Sequence, residues 1–259
     1  MSGKVKPGSG PGIRLVLVIS VGLLLPFGEL SAQETIASDR PGLGNGSAVI
    51  GTGIFQLELG AEYAVGGGTD FYSFGQGLLR YGLAGGVELQ ALLNSFTLVR
   101  GSTHDREGFS DIGLGMKVRV LPPAEKLSLS ILSTILLPTG SRPFSSEEAI
   151  PALALLGDLP LSGRVGLTGN LGYSAFMADA ENQLTLILTP SVSLSSDVSI
   201  SAYGGYAGFY ADSGNTHYGE GGVTWLPSAD LQLDLNGGFN LDSGDYFFGV
   251  GVATRWGGR

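Results

Sequence analysis

From about residue 53 almost to the last position, side chains alternate between apolar and small or polar with a period of two. In GFSDIGLGMKVRV (108–120), Ile112, Leu114, Met116, Val118 and Val120 form one set. Asp111, Gly113, Gly115, Lys117 and Arg119 form the other. GIFQLELGAEYAV (53–65) and DLQLDLNGGFN (230–240) repeat the pattern, and no comparable run has helical spacing. A period of two sends successive side chains to opposite faces of a strand, so the chain must be built from β-strands. Twelve are expected, over roughly 53–64, 71–81, 84–95, 109–121, 126–138, 148–158, 163–175, 183–194, 197–210, 216–227, 229–240 and 246–256.

Alternation alone fits both a soluble antiparallel sheet with one wet face and a membrane strand with a wet interior. Three features separate them. Most of the strands reach the 9–11 residues that cross a bilayer with tilt, whereas strands of soluble proteins average about five or six. Connections alternate in length: YGLAGG, LPPAEK, DLPLSGR, LSSD and LPSAD are tight, while FTLVRGSTHDREG (96–108), TGSRPFSSE (139–147) and MADAEN (177–182) are mostly longer and polar. Short periplasmic turns and long outer loops mark an outer-membrane barrel. Finally, charged residues make up 14% of the chain and glycines number 44, whereas a soluble domain carries about 25% charged residues. The polar set is rich in Gly, Ser, Thr, Asn and Gln, which suits a crowded lumen. Aromatic residues near strand ends (Phe71, Tyr72, Tyr81, Phe96, Phe109, Phe176, Tyr210, Trp225, Phe247, Trp256) suggest two interfacial girdles.

The N-terminus has the form of a cleaved secretory signal. Lys4, Lys6 and Arg14 are followed by the apolar LVLVISVGLLLPFG (15–28) and by LSA (30–32). That apolar run is shorter than the roughly 20 residues of a spanning helix. The expected organisation is a signal peptide over 1–32, a periplasmic segment or lumen plug over 33–52, and an outer-membrane barrel over 53–259. The fold class is all-β: a transmembrane antiparallel up-and-down barrel of about 12 strands.

Several chemistries are excluded or disfavoured. There is no cysteine, so thiolate metal sites, disulfides and Cys nucleophiles are absent. The formal charge of −9 opposes nucleic-acid binding, which needs a basic face. His104 and His217 fall in expected outer loops, outside any zinc frame, and Ser213 near His217 is a weak nucleophile candidate. GLGMK (113–117) lacks the P-loop frame and a following helix. No catalytic, metal or cofactor site is assigned. The functional candidates are the charges that alternation turns inward: Glu58, Glu62, Arg80, Glu88, Asp111, Lys117, Arg119, Glu220, Asp234 and Arg255. They either select solutes along an open path or pair across the lumen and close it. Twelve strands enclose more space than the eight that side chains fill.

A set of phrases, in order along the chain, carries a family resemblance: SDRPG (38–42), GIFQLELGAEY (53–63), LLRYGLAGGVELQ (78–90), FSDIGLGMKVRV (109–120), LSLSILSTILLPTG (127–140), LGDLPLSGRVGLTGNLGYS (156–174) and the closing FFGVGVATRW. Together they resemble the bacterial outer-membrane transporters of the phenol-degradation MetA-pathway type. The resemblance implies a single-chain outer-membrane barrel and a small solute, aromatic or otherwise hydrophobic. Expected partners are outer-membrane lipid, the barrel-assembly machinery that reads an aromatic C-terminal strand, and that solute. The expected function is passive passage, since no energy-coupling motif is present. A closed structural or surface-binding barrel, a secreted soluble β protein and a membrane-embedded hydrolase are the alternatives.

Overall fold

Strands that alternate along their whole length have two finished faces but two unfinished edges, and an edge in lipid leaves backbone groups unpaired. The computed structural model, which describes residues 35–40, 42–101, 105–121, 126–175, 182–195 and 199–258, resolves this by closure. The first strand, β1 (Ile54–Gly66), pairs antiparallel with the last, β14 (Tyr246–Gly257), from Ile54↔Gly257 to Val65↔Tyr246. On its other side β1 pairs with β2 (Thr69–Ala84). The wall continues through β3 (Val87–Leu93), β6 (Ile112–Leu121), β7 (Ser128–Leu137), β8 (Ile150–Pro160), β9 (Val165–Ser174), β10 (Gln183–Ser193), β11 (Ile200–Ala211), β12 (Gly214–Ser228) and β13 (Leu231–Asn240). Every neighbour is antiparallel.

Two crossings are broken, which is how fourteen strands make twelve staves. β3 is continued by β4 (Phe96–Arg100) and β6 is preceded by β5 (Arg106–Phe109). β4 pairs with the outer end of β2 and with β5. The 96–108 stretch, expected as a loop, is therefore partly a β-ribbon rising from the wall. Its base is a shared kink. In β2, Gly75 has φ +73° and is skipped by the pairing, as a left-handed glycine bulge requires. The breaks at 94–95 and 110–111 lie side by side, tied by Ser110 N donating to Ser95 O (2.9 Å) and Ser95 N to Ser110 Oγ (2.8 Å).

The two faces are inverted relative to a soluble protein. Leu114, Leu153, Leu235 and Phe248 are more than half exposed on the outside. The largest fully buried side chains include Arg80, Lys117, Gln56, Glu58 and Glu88. An outer surface this apolar is stable only against lipid. Aromatic rings gather at both ends: Phe55, Tyr81 and Trp256 stack near the short turns, and Tyr63, Tyr72 and Tyr246 cluster toward the outer loops. Phe71 and Phe247, expected in the girdles, instead line the interior, because Ala64↔Phe71 and Gly238↔Phe247 put them in inward registers. The expected signal peptide, His104 and Phe176 lie outside the described residues.

Candidate functional site in the lumen

Inward side chains of the wall strands converge on an N-terminal segment, residues 35–40 and 42–53, that enters the barrel from the short-turn end. Ile36 N donates to Ala229 O there (2.7 Å), and Thr35 O accepts from Arg255 (3.2 Å). The segment then crosses the lumen. Leu43 N donates to Glu220 on β12 (3.0 Å), and Asn45 exchanges hydrogen bonds with Asn170 on β9 (2.7 Å each). It returns along Asp158 on β8, Ser130 on β7 and Glu88 on β3, through Ser47 N (2.6 Å), Ser47 O (2.6 Å) and Ile50 N (2.9 Å). A backbone crossing a lumen carries donors and acceptors that need partners, and inward Asn, Ser, Asp and Glu side chains supply them. Gly82 makes the return possible: a Cβ there would overlap the carbonyl of Gly51.

At the centre is an ion network. Lys117 Nζ contacts both Asp39 oxygens (2.9 and 2.7 Å) and the carbonyls of Gly46 and Ala48. Arg80 bridges Glu88 (2.7 Å), Glu58 (3.0 Å) and Asp39 (3.6 Å). Glu58 also receives Ser38 Oγ (2.7 Å) and the backbone N–H groups of Asp39 and Arg40. Arg40 reaches Asp234 (3.5 Å) in space left open by Gly60 and Gly251, where a Cβ would overlap its guanidinium. Burial opposes the charge on Asp39, but Arg80 and Lys117 outweigh it and hold its carboxyl below the usual carboxylate range. Within the network each buried charge thus faces an opposite one, as a dry site demands, whereas buried Glu220 is met by the Leu43 N–H instead.

The ten charges selected from sequence sort into distinct places. Glu58, Arg80, Glu88, Lys117 and Asp234 are buried in or beside the network. Arg119 donates to Val49 O (3.2 Å), and Glu220 holds Leu43. Glu62 lines a cavity above the segment. Arg255 sits at the short-turn rim with Asp230 (2.7 Å). Asp111 lies at the outer rim, where it takes N–H groups of Gly140 and Ser146 (2.8 Å each). His217 is within β12, with Nδ1 2.6 Å from the Tyr206 hydroxyl. Sequence reasoning missed Asp39, Arg40, Asn45 and Ser47 on the segment and Asp158 and Asn170 on the wall. The adjacent opposite charges in SDRPG were the available signal.

Above the segment the lumen changes character. A cavity of about 630 Å³ has a wall of Leu43, Leu78, Leu92, Leu136, Phe144 and Phe247, and is otherwise lined by polar groups that include Glu62, Gln76, Asp111 and Asn236 at its sides and Asp39, Arg40 and Glu58 at its base. It adjoins one of about 270 Å³ walled by Leu43, Leu132, Leu156, Ile187 and Phe209. On the short-turn side a chamber of about 460 Å³ is polar, with Asp158, Thr168, Thr189, Ser191, Ser201, Thr224 and Gln232. A vestibule with an apolar wall thus meets a polar antechamber across a charged floor.

Solved structures share this architecture. The COG4313 outer membrane channel from Pseudomonas putida F1 superposes with a TM-score of 0.61 at 15% identity, over 84% of this chain and 99% of that one. The KdgM porin in complex with disordered oligogalacturonate gives 0.55 at 9% identity, over 77% and 98%. The NanC porin gives 0.54 at 9%, over 76% and 98%. No curated protein sequence matches the chain. The closed, inside-out barrel places the protein in the outer membrane. A family model described as "Putative MetA-pathway of phenol degradation" matches residues 38–256, and the chain belongs to that family.

Proposed function

We propose that the protein is a passive outer-membrane channel for a small apolar solute, aromatic compounds included, and that residues 35–53 form the plug that meters it. The observation that carries this reading is the row of inward Leu, Ile and Phe side chains above the floor. A water-filled pore for polar solutes has no need of them, and apolar walls with a few polar groups are the usual surroundings of an apolar ligand. On and around the floor the carboxylates Asp39, Glu58, Glu62, Glu88, Asp158, Glu220 and Asp234 outnumber the cations Arg40, Arg80, Lys117 and Arg119. That balance disfavours anionic solutes, in contrast to the acidic oligosaccharide bound by the KdgM porin.

The test is flux through purified protein in liposomes, comparing an uncharged aromatic with a sugar of similar size, alongside conductance in planar bilayers. Faster entry of the aromatic supports the proposal; equal entry of both, or none of either, sinks it. A second reading draws on the paired floor. If Lys117, Arg80 and Asp39 never separate, the barrel is a closed structural or surface-binding protein. Absence of all flux, with a ligand held on the outer loops, would establish that instead.

A further inference from the structure

The connection between β7 and β8, residues 138–149, does not project away from the barrel. It folds back over the kinked rim. Gly140 N and Ser146 N both donate to the Asp111 carboxylate (2.8 Å each), and Ser146 Oγ adds a third bond (2.7 Å). Ser141 N and Oγ pair with the backbone of Phe109 (2.9 and 2.7 Å), and Thr139 Oγ1 accepts from Ile112 N (3.0 Å). Gly140 lies so close to the 109–111 backbone that a Cβ would be 2.7 Å from Phe109 O. A turn from Ser141 O to Phe144 N (2.6 Å) then delivers the Phe144 ring onto Gly108, whose missing side chain leaves its seat. The ring is half-buried and lines the vestibule wall opened by Leu78, Leu92 and Leu136.

These features share one consequence. Asp111 has no cation among its described contacts, so it does not pair across the lumen; it borders the vestibule with its carboxylate taken up by the loop's donors. Partial burial opposes its charge, yet the bonds from Ser146 and Gly140 outweigh that and bring its pKa down to about 2. The carboxylate is spent on holding a loop, and the loop holds an aromatic ring at the entrance of an apolar cavity.

We propose that Phe144, positioned by the Asp111 latch and the Gly108 seat, is a specificity-determining residue that sorts solutes by aromatic contact before they reach the floor. This rests on the channel reading above. Asp111 is a positioning residue: it acts through Phe144. The prediction separates size from chemistry. Phe144→Ala removes the ring and keeps the latch, so the flux ratio of an uncharged aromatic to a size-matched aliphatic solute should fall roughly two- to tenfold, the range of one aromatic contact. Asp111→Ala removes three of the loop's anchoring bonds and loosens its hold on Phe144, so it should lower the same ratio and also raise ion conductance and admit larger sugars. Phe144→Trp should keep the ratio high.

The experiment is liposome flux and single-channel recording on wild type and the three variants, each first shown to be folded by heat-modifiable gel mobility. A lowered ratio in Phe144→Ala, restored in Phe144→Trp, supports the proposal. A wild type that passes the aromatic while Phe144→Ala leaves the ratio unchanged overturns it and spares the channel reading. A wild type and an Asp111→Ala variant that both pass nothing overturn both.

Discussion

Lys117 is the point at which the floor can be opened without disturbing the wall. Its ammonium touches three residues of the segment, Asp39, Gly46 and Ala48, from a side chain with no solvent exposure. At 2.7 Å and an effective dielectric of about 20, the gross attraction to Asp39 is roughly 6 kcal/mol, much of it offset by desolvation. Lys117→Met removes the cation and leaves Asp39 buried, a change that costs about 3–5 kcal/mol for a buried pair. Asp39 keeps Arg80 at 3.6 Å and the Gly46 N–H at 3.2 Å. The loss should therefore sit near 3 kcal/mol, or roughly 150-fold in the equilibrium between seated and released segment. No strand ladder depends on the Lys117 ammonium, so the barrel should still migrate as folded before boiling. The readout is single-channel recording: Lys117→Met should show larger or more frequent openings. Adding Asp39→Ala should restore part of the seating, because the stranded carboxylate is then gone. Currents indistinguishable from wild type, or effects of the two changes that simply add, would refute the argument that this pair holds the floor shut.

Other consequences are simpler to read. Ser47 and Ser128 have their hydroxyl oxygens 2.7 Å apart in a chain without cysteine, close to disulfide reach. Ser47→Cys with Ser128→Cys should lock the segment to β7 and suppress flux until reductant is added; full flux in the oxidised form would mean solutes pass a seated plug. Leu114→Arg or Val118→Arg, on the lipid face, should cost about 2–4 kcal/mol near the bilayer midplane, measured by urea unfolding in lipid. Arg119→Ala, which removes only a bond to Val49 O, should leave that unfolding nearly unchanged, and the reverse ranking would mean the faces are misassigned. Because the Asp39 carboxyl lies below its ordinary 3.8 when folded, its contribution is present above that value and is lost as pH falls further. Conductance should thus be flat from neutral to mildly acid pH and rise only in strong acid; a rise near neutrality would point to another group.

What the sequence made legible follows from range. Period two is a nearest-neighbour property, so the strands of the wall, their outward Leu114 and Val118 and their inward Lys117 could be read locally. The rule failed where both sets were apolar. In SLSILSTILL of β7, Leu132 and Leu136 face the lumen opposite Lys117 and Gly113, and nothing in the stretch itself separates them from the lipid-facing Ile131 and Ile135. The outer ribbon was missed for a related reason: FTLVR is a plain strand sequence, but its partners are the far end of β2 and a charged stretch after it.

The segment in the lumen is the extreme case. Asp39 meets Lys117 across 78 residues, and Asn45 meets Asn170 across 125. The segment has no period, because it obeys the lumen rather than its own backbone geometry: each residue is placed by whichever strand it crosses. Its composition of Gly, Ser, Asn and one opposite-charge pair reads as a linker. Inside a barrel the same composition does something else. Small residues let the chain pass close to the wall, as at Gly82, and its backbone amides take up the inward carboxylates that a dry interior would otherwise forbid. So the question that alternation left open, whether Lys117 lines a path or is bound, turns on residues that alternation does not describe. In the structure it is bound, to a segment tethered at both ends of its course. On the channel reading proposed above, an open path begins with that segment moving, and its hydrogen bonds to Glu58, Glu88, Asp158 and Glu220 set how much must break.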